Sequence, residues 1–219
     1  KRQSGWEHLL EIAKIEGLDR AYTWNCAVGC YGAGCEVHAA GVCWAERMAR
    51  RFGWSFKPHL IPERLDEPKR LRTPAVITPV SMGDLFGLSK WQIKVILNAM
   101  ERYNHHVYAI LTKYPGYALR WFNDRFENVW FGVSVNSQQD VWRLRLLEEI
   151  KSKRKYCLFE PLYSPIEYDL SFLDLVVIGP QTQPLKQPKR EWVESIVKNV
   201  GDQKKVFFKS KLRCVGSVE

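Results

Sequence analysis

Seven short apolar runs recur along the chain, separated by segments whose apolar residues return every three or four positions. The runs are 22–25 (YTWN), 75–82 (AVITPVSM), 107–113 (VYAILTK), 129–135 (VWFGVSV), 155–162 (KYCLFEPL), 173–180 (LDLVVIGP) and 205–210 (KVFFKS). Their lack of two-residue alternation predicts strands buried on both faces, hence a parallel sheet covered by helices. Between them the spacing predicts helices. One covers 5–16, with Trp6, Leu9, Leu10 and Ala13 on its apolar face, Ile12 beside them, and a place as a lid on one end of the core. Others cover 43–52, 89–102 (Ser89 as cap; Trp91, Val95, Ile96 and Ala99 inward), a short stretch in 117–126, and 138–151 (Val141, Leu144, Leu147 and Ile150 inward). The last covers 190–200, with Trp192, Ile196 and Val200 or Val193 inward. Residues 54–73 are proline-rich and charged, which predicts an ordered crossover with one helical turn at 62–65.

Strands alternating with helices predict an α/β protein, either a partial or full (βα) barrel or a doubly wound open sheet. The barrel is favoured because polar residues close nearly every strand: Asn25, Ser81 with Asp84, Thr112 with Lys113, Ser134 with Asn136, Glu160, Gln181 and Lys209. In a βα barrel those tips converge on one mouth, whereas an open sheet uses only the tips at its switch point. A chain of 219 residues forms a single domain by default, with residues 1–20 as the N-terminal helix and 212–219 as a tail.

Composition adds an ordered interior, with 46% apolar and 13% aromatic residues, and an excess of base: 33 Lys and Arg against 24 Asp and Glu, net +9. That balance favours an anionic partner such as a nucleotide or nucleic acid, and is also common in thermophiles. Arg47, Arg50 and Arg51 fit either a solvated helix face or phosphate contacts. No apolar run approaches the roughly 20 residues of a membrane span, and the N-terminus is charged. The expectation is a cytoplasmic protein without a membrane partner, where thiols stay reduced.

Four of the six cysteines, Cys26, Cys30, Cys35 and Cys43, fall in one glycine-rich stretch, with three, four and seven residues between them. Disulfides fit poorly in so large a chain. Zinc usually takes two tight C-x2-4-C knuckles, although His38 offers a nitrogen ligand. An iron-sulfur site and simple buried thiols complete the alternatives. Cys157 lies in an apolar run and reads as packing, Cys214 has no visible partner, and His105 and His106 read as solvated.

An ordered set of short motifs accompanies the thiols. Thr23-Trp24-Asn25-Cys26, Gly29-Cys30, Gly34-Cys35, Cys43-Trp44-Ala45-Glu46 and Pro62-Glu63-Arg64-Leu65 come first. Ser81 to Phe86, Leu111 to Pro115, Gly132 to Val135, Glu160-Pro161-Leu162, Ile178-Gly179 and Phe207-Phe208-Lys209 follow. In this order, over about residues 22–211, the chain resembles a phage-encoded family of unknown function whose members are read as radical S-adenosylmethionine (SAM) proteins. It departs from that pattern at Cys26, where the family has proline, and in the seven residues between Cys35 and Cys43, where the family has two.

The resemblance implies a radical SAM-like (βα) barrel and a SAM-cleaving enzyme. Its 4Fe-4S cluster would be held by Cys30, Cys35 and Cys43, with Cys26 as the spare thiol, leaving one iron open to SAM. It further implies Ser81, Gly83 and Asp84 at the SAM amino end, Ser134 and Asn136 at the ribose, and Trp44 or Ile178-Gly179 near the adenine. Lys113, Glu160 and Lys209 would line a mouth for a small-molecule or nucleic-acid substrate, and a reductase or flavodoxin-type donor would supply the electron. Structural roles compete: Asp84 as a helix cap, Ser134 as a turn residue, and a Lys113–Glu160 ion pair across the mouth. The competing function is a non-catalytic nucleic-acid-binding module whose cysteine loop holds zinc or a closed cluster.

Overall fold

The computed structural model describes residues 6–32, 34–122, 126–152 and 154–214, except for the side chain of Lys204. Gly5, residues 123–125 of the short helix expected in 117–126, and the end of the tail at 215–219 lie outside them. Seven parallel strands form the main sheet: β1 (Ala21–Trp24), β2 (Val76–Pro79), β3 (Val107–Thr112), β4 (Val129–Ser134), β5 (Arg154–Phe159), β6 (Leu175–Ile178) and β7 (Val206–Phe208). Each strand pairs with the next in sequence, from Trp24 opposite Pro79 to Phe208 opposite Ile178, with no reversal of order. A doubly wound sheet needs such a reversal, so the fold is an open half-barrel, with β1 and β7 as its free edges among the described residues.

Five helices of eight or more residues accompany the sheet: α1 (Glu7–Ile15), α2 (Trp44–Arg51), α3 (Lys90–Arg102), α4 (Trp142–Glu149) and α5 (Arg190–Val200). Right-handed crossovers place the helices joining successive strands on one side of the sheet. There Ile93, Ile96, Leu97, Leu144, Leu147, Val193 and Ile196 pack on Ile77, Ile110, Phe131, Val133, Cys157, Phe159, Val176 and Ile178. Ser89 caps α3 through a full capping box with Gln92.

The alternate residues of the same strands face inward. Val76, Ala109, Trp130, Tyr156, Leu158, Leu175 and Val177 form a second core with Leu9, Ile12 and Ala13 of α1. The first helix therefore fills the inner face of the half-barrel instead of lidding one end, and Ile12 is fully buried while Leu10 is exposed. Other expectations are corrected in the same way. Trp91 is 65% exposed and Ile93, Leu97 and Met100 take its place inward. Among the described residues, the helix expected after β3 is found at Pro115–Ala118, and 138–151 divides into a 3-10 turn, Gln138–Asp140, and α4. His106 is buried, with Nε2 3.1 Å from the Pro68 carbonyl. Cys157 is fully buried, as packing requires.

Candidate functional site: the thiol loop at the strand tips

Strand alternation carries the inner-face rows out to the tips, where Asn25, Lys113, Glu160, Gly179 and Lys209 fall in step with the inner core. The turn after β2 is locked onto the thiol loop. Asn25 Oδ1 accepts from Ser81 Oγ at 3.0 Å and from the Met82 amide at 2.9 Å. The Gly29 amide donates to the Met82 carbonyl at 3.0 Å. A Cβ on Gly83 would stand 2.3 Å from the Gly29 carbonyl oxygen, so only glycine permits this approach. Val80 turns the chain with a left-handed φ of 54°, a conformation a β-branched residue adopts only under constraint.

Asp84 is buried and fully employed. Its Oδ1 accepts from the Phe86 amide at 3.0 Å and from Thr112 Oγ1 at 2.7 Å, and its Oδ2 from the Lys113 amide at 2.9 Å. It thus caps the turn Leu85–Gly87 and ties it to the tip of β3. Burial pushes its carboxyl up despite these donors.

The four loop thiols separate into one and three. Cys26 is fully buried among Trp24, Ala27 and the outer core, and burial raises its thiol pKa far above the ordinary value. Cys30, Cys35 and Cys43 are partly exposed and are not joined by a disulfide. Cys30 Sγ accepts from the Gly32 amide at 3.3 Å and lies 3.6 Å from the Tyr114 hydroxyl. Burial pushes the Cys30 and Cys43 thiols up, and the field of Cys35 adds to each, so Cys35 lies within electrostatic reach of both. No group of three or more His, Cys, Asp or Glu among the described residues is drawn close enough to hold a metal ion. A single tetrahedral ion would need sulfurs about 4 Å apart. A multi-iron cluster spreads its thiolates over separate irons, so its ligands stand farther apart than those of a single ion.

Glu36, the residue after Cys35, moors this loop to the mouth. Its Oε1 accepts from Lys113 Nζ at 2.6 Å and its Oε2 lies 3.4 Å from Arg143 Nη2. Burial raises the Glu36 carboxyl, and the Lys113 and Arg143 cations outweigh it, leaving a pKa below the usual carboxylate value. Lys113 Nζ also meets Asn136 Oδ1, and the Asn136 side-chain amide donates to the Pro161 carbonyl at 2.6 Å. Arg143 is buried, donating to the Ser134 carbonyl at 2.9 Å and pairing with Asp140 at 3.0 Å.

A second charged pair closes the far side of the mouth. Lys209, buried, pairs with Glu160 across β6. A Cβ on the intervening Gly179 would sit 3.0 Å from both Glu160 Cδ and Lys209 Cδ, so this glycine makes room for the pair. The expected Lys113–Glu160 bridge does not form: Lys113 pairs with Glu36 and Glu160 with Lys209. His8 of α1 lies beneath, with both ring nitrogens buried and unpartnered, near the equally unpartnered Tyr156 hydroxyl. Burial, then the Lys209 charge, holds the His8 pKa well below its ordinary value.

Of the remaining expected residues, Ser134 and Asn136 are buried at the tip of β4. Trp44 is 43% exposed, edge-on to Trp6 with ring centroids 6.3 Å apart. The Ile178 side chain belongs to the outer core, which leaves Gly179 as the member of that pair facing the mouth. Sequence reasoning missed Glu36 and Arg143. The carboxylate beside Cys35 and the Asp140–Arg143 spacing on the inward side of a helix were the available signals.

A family model described as Protein of unknown function (DUF5131) matches residues 13–213. The chain belongs to that family. DUF5131 therefore spans the thiol loop, all seven strands and both charged pairs. No curated protein matches the chain. Among solved structures, "Spore photoproduct lyase complexed with dinucleoside spore photoproduct" is similar at 10% identity and a TM-score of 0.46. The similarity covers 82% of this chain and 61% of that one, so this chain spans less than two thirds of its length.

Proposed function

We propose that this DUF5131 protein is an iron-sulfur-dependent, SAM-cleaving radical enzyme of the phage-type family its motifs resemble. The observation that carries the reading is the division of the thiols: Cys30, Cys35 and Cys43 are partly exposed, with Cys35 within electrostatic reach of the other two, while Cys26 is packed in the core. Three thiolates would hold a 4Fe-4S cluster. Such a cluster supplies one electron and an open iron to which the amino and carboxylate groups of SAM bind. The protein's own part is positional. Glu36 holds the loop against Lys113 and Arg143, and Tyr114 covers Cys30 from the β3 side.

The turn 81–84 lies beside Cys30 and is the proposed seat of the SAM amino end. Its backbone serves there, because the side chains of Ser81 and Asp84 are engaged in the fold. Ser134 and Asn136 would border the ribose, and Trp44 and Gly179 the adenine. Lys113, Glu160 and Lys209 would face the substrate, a nucleotide or nucleic acid in keeping with the +9 net charge. A reductase or flavodoxin-type protein would deliver the electron.

Anaerobic purification tests this reading. The expected result is brown protein with stoichiometric iron and sulfide, an electron paramagnetic resonance signal altered by SAM, and 5′-deoxyadenosine formed under dithionite. Colourless protein that loads zinc and leaves SAM intact would reject it.

A further inference from the structure

Outside the mouth, the segment leaving the thiol loop carries a surface of its own. Arg47 and Arg51 are exposed and lie four residues apart, hence along one side of α2. Glu46 is occupied by His38 at 3.2 Å and Arg50 at 2.8 Å. Arg47, Arg51 and the exposed Lys57 form no ion pair among the described residues. Just beyond the helix, Phe52 and Trp54 are 54% and 45% exposed, their rings 5.1 Å apart and inclined by only 31°.

Trp54 borders a groove of about 390 Å³ whose lining includes Leu60, Ile61, Pro62, His59 and Arg64. The segment is strapped to the thiol loop: the Cys30 amide donates to the Phe56 carbonyl at 3.2 Å, and a Cβ on Gly29 would stand 2.5 Å from that oxygen.

Unpaired cations attract phosphate, and exposed aromatic rings take bases by stacking, which a duplex prevents by keeping its own bases stacked. We propose that residues 47–64 form a docking face for single-stranded nucleic acid. Its phosphates follow Arg47, Arg51 and Lys57, and its bases stack on Phe52 and Trp54. This face stands whether or not the thiol loop holds a cluster, so failure of either reading leaves the other intact.

The test is fluorescence anisotropy of the full chain with a labelled oligothymidylate of about 12 nucleotides and with a duplex of the same length, over a salt titration. The single strand is expected to bind tighter than the duplex. Replacing Arg47, Arg51 and Lys57 together by alanine lowers the slope of log affinity against log salt by about 2, at roughly 0.7 per phosphate contact. Phe52→Ala with Trp54→Ala weakens binding by at least about thirtyfold and leaves that slope unchanged. Absence of binding at low salt, equal affinity for the duplex, or an aromatic variant that binds like the parent would each overturn the proposal.

Discussion

At the scale of single residues, the structure assigns different work to chemically identical groups. Cys26 and Cys30 are both thiols of one loop, yet one is sealed in the core and the other faces Tyr114. Cys26→Ala should cost about 1 kcal/mol of stability, as a small core truncation does, and leave iron content unchanged. Cys30→Ala, Cys35→Ala and Cys43→Ala should each abolish iron retention with little change in melting temperature. Iron assays beside thermal melts separate the two classes.

His8 makes a second residue-scale prediction. Folded, it stays neutral below the ordinary histidine value of 6.5, whereas the unfolded chain takes up a proton there. The unfolded state then binds more protons, so stability falls as pH drops below about 6.5, by up to about 1.4 kcal/mol per pH unit. His8→Phe should remove that slope, as read from urea unfolding between pH 7 and 5.

At the scale of elements, the seven strands and the inward rows of α4 and α5 were legible in the sequence because burial on both sides leaves an unbroken apolar run. The boundaries shifted by up to three residues, since strand tips carry the polar groups that end the ladder. What stayed hidden was partnership. The α3 pattern contained two rival apolar faces, and Trp91 lost to Ile93 and Leu97, which reach the sheet. In the site, Lys113, Glu160 and Lys209 at the tips were visible, but their pairing was not, because it depends on Glu36 arriving from a distant loop and on Gly179 leaving room.

Two variants probe those pairings. Glu36→Gln should loosen the loop without unfolding the barrel, seen as faster amide exchange over residues 30–43 at nearly unchanged melting temperature. Gly179→Ala should push Glu160 and Lys209 apart and destabilise the fold by about 1–3 kcal/mol, measured by denaturant unfolding.

At the scale of the whole molecule, the half-barrel depends on α1 for its inner face. Leu9, Ile12 and Ala13 cover side chains from five strands, β2 to β6. Deleting residues 1–16 should therefore expose a continuous apolar concavity and produce a protein that binds hydrophobic dye and aggregates, while far-UV circular dichroism still reports sheet and helix.

The same helix also touches the opposite end of the sequence. Glu7 accepts from the Ser210 amide at 2.9 Å and from its hydroxyl at 2.5 Å, across a sequence separation of 203. During synthesis, α1 is made long before β7, and it must wait, unsatisfied, until nearly the entire sheet exists to receive it. Assembly of the interior is thereby deferred until the last strand has been made, and a ribosome-bound nascent chain stalled before residue 206 should remain a client for chaperones that hold exposed apolar helices.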